Sequence, residues 1–155
     1  MCKSTIFCLF AALMLLFGVT VPIRAQVAEK SDGKAAIEQV LRTQVAAWNR
    51  HDLDAFMVGY WNSPELTFFS GAKEQDGWQA TMDRYRATYA SPGHEMGKLE
   101  FSGLRIEMLG PDAAFVRGAW LLTMSDGKTP HGLFTLVFRK FPEGWKIVHD
   151  HTSAE

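Results

Sequence analysis

The chain has 155 residues, 16 Lys and Arg against 17 Asp and Glu, and 47% apolar residues. That is the size and make-up of one globular domain. The near-neutral balance excludes an electrostatic nucleic-acid binder, and the absence of any long repeat or low-complexity tract excludes a solenoid.

The N-terminus differs from the rest. Lys3 is followed by an apolar run from Ile6 to Val21, broken only by Gly18 and Thr20, and then by Pro22-Ile23-Arg24-Ala25. A charged start, an apolar middle and a small residue before a polar stretch make residues 1–25 a secretory signal. The alternative is an uncleaved membrane anchor, for which the run is marginal, since a spanning helix needs about 20 apolar residues. Cleavage after Ala25 leaves 130 residues, with 14 basic and 17 acidic side chains and a net charge of −3. Cys2 and Cys8 leave with the signal. The mature chain then has no disulfide, thiol nucleophile or cysteine-bound metal, and is expected in the periplasm or outside the cell, free of the membrane.

Residues 26–34 are polar and are expected to be flexible. From Ala35, the apolar positions Ile37, Val40, Leu41, Val45 and Trp48 fall on one helical face. Asn49-Arg50-His51-Asp52 breaks that helix, and Asp52 can cap a second one with Leu53, Phe56, Met57 and Tyr60 on its face. Leu66 to Ser70 is a short strand, and 71–77 a loop. Asp76 can cap a third helix bearing Trp78, Met82, Tyr85 and Tyr89. Four strands follow, at 98–108, 113–124, 131–140 and 145–152. In the first, Leu99 and Phe101 are odd-numbered whereas Leu104, Ile106 and Met108 are even-numbered. One buried face accommodates both sets only if a residue is inserted near Ser102-Gly103, which predicts a β-bulge and a bent sheet. Three helices followed by an antiparallel meander make an α+β fold.

Ala47-Trp48-Asn49-Arg50-His51-Asp52-Leu53-Asp54, Gly59-Tyr60-Trp61, Gly77-Trp78 and the run from Gly144 to Ser153, in that order, resemble a SnoaL-like member of the nuclear transport factor 2-like superfamily over residues 35–153. The resemblance implies a cone-shaped fold, with three N-terminal helices on a strongly bent antiparallel sheet, a small-molecule pocket and frequent homodimers. It does not fix function, because relatives include ketosteroid isomerase, scytalone dehydratase, polyketide cyclases and a kinase association domain.

His149-Asp150-His151 is the strongest local chemical feature. With strict alternation, Trp145, Ile147, His149 and His151 share the inner face and Asp150 points away. His151 is then the candidate acid or base, with His149 beside it. The two histidines, with His131 on the neighbouring strand, are the alternative metal ligands. Arg117 is the one charge in an apolar strand: it either faces the pocket, where it can hold an anionic oxygen, or pairs with Glu100 or Glu107. Trp48, Tyr60, Trp61, Phe69, Tyr85 and Trp120 lie on faces that turn inward and are candidate ligand contacts. Asp52 and Asp54 are a helix cap and a solvated first-turn acid, so no carboxylate is expected in the cone. Together these residues point to an exported protein that binds a small apolar or aromatic molecule without a cofactor, with acid–base catalysis of the isomerase, dehydratase or cyclase type open. A non-catalytic homodimeric association module and a histidine metal site are the alternatives.

Overall fold

The structure is a computed structural model, and it describes residues 23–155. All but the last three residues of the signal segment lie outside the described residues. Helix α1 runs from Ile23 to Trp48. Residues 26–34, expected to be flexible, are therefore helical. Gly33 gives the physical reason: a Cβ there would lie 2.8 Å from Met108 Cε and 3.4 Å from Trp145 Cζ2. The helix already packs closely at Gly33, but a glycine adds nothing to an apolar periodicity, so the pattern starts only at Ile37. From there Ile37, Leu41, Gln44 and Trp48 continue the buried stripe.

His51, at φ 59°, ends the helix turn. Asp52 then accepts a hydrogen bond from Ala55 N at 2.9 Å and caps α2, Leu53–Met57, as its position predicts. Strands β1 (Thr67–Ser70) and β2 (Lys73–Asp76) form a hairpin, where the sequence suggested a strand and a loop. Asp76 pairs with Thr67 in that hairpin, so Gly77, not Asp76, precedes α3, Trp78–Tyr85, and supplies no side-chain cap. A π-helical turn, Arg86–Ala90, extends α3.

Strands β3 (Lys98–Met108), β4 (Ala113–Thr123), β5 (His131–Phe141) and β6 (Gly144–Thr152) form the expected antiparallel meander. The whole sheet has the order β2-β1-β6-β5-β4-β3. Because β1 runs parallel to β6, the sheet is mixed and not purely antiparallel. The β3 bulge is present: Ser102 faces Ala119 and Arg105 faces Arg117, so two β3 residues oppose Gly118 alone. Gly103 takes φ 61° there, a left-handed conformation that glycine adopts without steric cost.

The sheet curls around the helices, and the core lies between them. Ala114, Val116 and Leu122 of β4 and Phe134, Leu136 and Phe138 of β5 point inward and are buried. Phe134, Leu136 and Phe138 therefore belong to the interior. Among the described residues, no helix is long and apolar enough to cross a membrane.

Candidate functional site

The site depends on a second bulge, in β6. Trp145 and Ile147 are buried in the core. Phe138 pairs with Ile147, but the next β5 residue, Val137, pairs with His149, so Val148 is the extra residue. The alternation resets, and Asp150 turns inward with only 4% exposure. The neighbour of β6 changes at the same point. Ile147 N donates to Gly59 O and accepts at its carbonyl from Trp61 N, both at 2.9 Å; from His149 onward the neighbour is β1. The inserted residue bridges that change of partner.

Inward of the bulge, two hydroxyl groups hold one carboxylate and a third stands behind them. Tyr60 donates to Asp150 Oδ2 at 2.7 Å, and Thr152 Oγ1 donates to Oδ1 at 2.8 Å. The Tyr85 and Tyr60 hydroxyls lie 3.2 Å apart. Since Tyr60 donates to Asp150, its oxygen accepts from Tyr85, and the chain of donors runs Tyr85 to Tyr60 to Asp150. Burial pushes the Asp150 carboxyl up to about 6, against the opposing pull of the Tyr60 and Thr152 hydrogen bonds and of His151. Burial first, and the Asp150 charge second, raise both Tyr60 and Tyr85 well above the usual tyrosine range. At neutral pH the site thus holds one carboxylate and two neutral phenols. The Tyr60 hydrogen bond stabilises the charged carboxylate, so Tyr60→Phe is expected to move the Asp150 titration above its present value of about 6. Carbon-13 NMR of the Asp150 side chain across a pH series measures this directly.

The carboxylate lines a cavity of about 260 Å³ bounded by α1, α2, α3 and the sheet. Its walls are largely aromatic, among them Trp48, Phe56, Phe68, Tyr89 and Phe134. At the packing density of protein interiors, this space holds a ligand of roughly a dozen non-hydrogen atoms, one or two fused rings.

Trp48, Tyr60, Tyr85 and Trp120 line the cavity, as their positions suggested. The structure does not bring the other candidates to it. Trp61 stacks on Phe141, with centroids 5.3 Å apart. Phe69, His149 and His151 share the outer face of the sheet, with the Phe69 ring 5.0 Å and 5.9 Å from the two imidazoles. The β6 bulge is the cause: it exchanges the inner face of His149 and His151 for that of Asp150. His149 Nδ1 hydrogen-bonds Thr67 Oγ1 at 2.6 Å, and His151 is exposed. Arg117 also lies outside, because the inward positions of β4 are even-numbered; it pairs with Glu107 at 3.2 Å. His131 sits 3.7 Å from Glu155, apart from the other two histidines. Among the described residues, no three His, Cys, Asp or Glu side chains are grouped to hold a metal ion.

Sequence reasoning missed Asp150, Thr152, Phe68 and Arg84, all of which line the cavity. The register of β6 hid the first two. Phe68 faces inward because it pairs with Asp150, while its neighbour Phe69, equally apolar, faces outward.

A mixed, curled sheet closed by three helices around an aromatic cavity is the architecture of the nuclear transport factor 2-like proteins. A family model described as a SnoaL-like domain matches residues 37–155, and the chain belongs to that family. It is similar to a nuclear transport factor 2-like protein of unknown function from Shewanella oneidensis, at 40% identity and a TM-score of 0.72, covering 77% of this chain and 98% of that one. A nuclear transport factor 2-like superfamily protein from Salmonella enterica shares the fold at 20% identity and a TM-score of 0.59, over 83% and 92% of the two chains. A ketosteroid isomerase-like protein from Erwinia carotovora atroseptica does so at 20% identity and a TM-score of 0.60, over 77% and 94%. No curated protein matches the chain. Members of this fold family commonly bind small molecules and form dimers.

Proposed function

We propose that this protein binds a small, mainly apolar ring compound in the cavity and moves a proton on it, with Asp150 as the base. One observation carries this: a carboxylate buried to 4% exposure, with its pKa at about 6, on the wall of an aromatic cavity. A carboxylate ordinarily titrates near 4 and is a feeble base; burial brings Asp150 close to neutral pH, where a general base is most effective. Isomerisation of an enolisable carbonyl compound fits best. Asp150 takes a proton from the carbon beside the carbonyl, the C–H electron pair passes into the enolate, and the proton returns at another carbon. Protonated Asp150 no longer needs the Tyr60 hydrogen bond. The hydroxyl chain can then reverse, with Asp150 donating to Tyr60, Tyr60 to Tyr85, and the Tyr85 proton freed for the enolate oxygen.

2-Tetralone, a two-ring ketone with acidic protons beside its carbonyl, tests this. In deuterated buffer the protein is expected to accelerate deuterium uptake at those carbons, with a rate that rises with pH through about 6. Asp150→Asn is expected to fall to the buffer rate. A rate unchanged by that substitution removes Asp150 from the chemistry.

The proposal includes export and a homodimer. Export is supported by the composition of residues 1–25. A dimer is supported by the outer sheet face, where Leu133 is 66% exposed and Leu121, Phe115 and Val137 point the same way. Intact mass and sedimentation of protein recovered from the exported fraction check both.

A further inference from the structure

Arg84 is the one basic residue lining the cavity among the described residues. It lies in the last turn of α3, with its guanidinium carbon 5.4 Å from the centroid of the Phe68 ring. Nearby acids are engaged elsewhere. Asp83 accepts from Gln79 at 2.9 Å and approaches Arg86, and Asp54 pairs with Arg86 at 3.0 Å. Among the described residues, no hydrogen bond or ion pair joins the Arg84 guanidinium to another group. Its charge is nevertheless felt inside the cavity, where it opposes the upward shifts of Tyr85 and Tyr89. A half-buried guanidinium whose five donors go unused is poised for an acceptor from outside the chain.

The cavity lining therefore carries one positive group, Arg84, and one negative group, Asp150. Resting on the reading of the cavity as a ligand site, we propose that its natural ligand is a monocarboxylic acid: a one- or two-ring body with a carboxylate that forms a forked pair with Arg84. A carboxylate matches the guanidinium fork with two parallel hydrogen bonds. The Phe68 ring, 5.4 Å from the guanidinium carbon, holds that group at the cavity wall. Arg84 attracts a ligand carboxylate and Asp150 repels it, so the carboxylate sits against Arg84. Arg84 is thus a specificity-determining group.

Calorimetric titration at pH 7.5 with 2-naphthoate and 2-naphthamide tests this, because the two probes share size and shape and differ in charge. The protein is expected to bind the naphthoate about tenfold more tightly than the amide, the gain of one charge-assisted forked pair over a neutral contact. Arg84→Gln is expected to lose that preference and to leave amide affinity within about twofold. Arg84→Lys, which keeps the charge without the fork, falls between. Since the side chain is partly exposed, circular dichroism spectra matching the parent establish that both variants fold. Equal affinity for the two probes, or a naphthoate preference that survives in Arg84→Gln, overturns the proposal while amide binding upholds the cavity as a ligand site. Failure of both probes to bind overturns the ligand site and the carboxylate proposal with it.

Discussion

Asp150→Asn is expected to stabilise the protein at pH 7.5 while eliminating proton transfer. The buried carboxyl titrates at about 6 in the folded chain, against about 3.9 when unfolded. Between those values the folded state keeps a proton that the unfolded state has lost. Stability therefore falls as pH rises from about 4 to about 6 and remains lower above it. Two pKa units correspond to about 3 kcal/mol. Asparagine carries no charge to desolvate: its carbonyl can still accept from Thr152, and Tyr60 can accept from its amide and donate to Tyr85. The variant should be about 2 kcal/mol more stable than the parent at pH 7.5, and the gain should vanish near pH 4. Urea unfolding at the two pH values measures it. A variant less stable at pH 7.5 would make Asp150 a structural anchor for Tyr60 and Thr152, and the case for a strained catalytic base would go. Stability surrendered at one buried charge is the usual mark of a site kept for chemistry.

The two bulges show what a sequence discloses and what it withholds. In β3 the apolar residues change parity between Phe101 and Leu104, and a glycine stands at the change, so the insertion is legible. In β6 the change falls after Ile147, where His149, Asp150 and His151 are all polar, and hydrophobic alternation has nothing to record. A buried acid is invisible to a pattern that equates inside with apolar, and it is the residue on which this site turns. Arg117 was ambiguous for a related reason: β4 carries Phe115 and Leu121 outward as well as Val116 and Leu122 inward, and an apolar strand on both faces does not say which side a charge occupies. Strand β2, Lys73-Glu74-Gln75-Asp76, is a polar edge strand, held by its hairpin partner and not by a buried face. The capped helix start at Asp52, the stripe from Ile37 to Trp48 and the four-strand meander were legible because each rests on local chemistry or long periodicity.

Trp48→Ala is expected to cause a large loss of stability, and its comparison with Trp61→Ala separates the cavity wall from the periphery. Trp48 closes the stripe of α1 and is 3% exposed. Its indole N–H donates to Met96 O at 3.1 Å and to Gly97 O at 3.2 Å, tying the helix to the segment that leads into β3. Its ring meets Phe56, Tyr85 and Tyr89 edge-on, at 5.2, 6.0 and 4.8 Å. Alanine removes the burial, the edge contacts and the donor for two carbonyls at once, for a loss of roughly 3–5 kcal/mol. Trp61 is only partly buried and stacks on one ring, Phe141, so its truncation should cost about 1–2 kcal/mol. Thermal unfolding of the pair reads the difference. The ligand probes read the rest: Trp48→Ala enlarges the cavity and should weaken 2-naphthamide binding, whereas Trp61→Ala should leave it unchanged. Equal losses of affinity in the two variants would place the ligand elsewhere. The same side chain that anchors α1 to the sheet forms the wall of the site, so in this fold the shape of the cavity and the stability of the helix layer cannot be altered independently at Trp48.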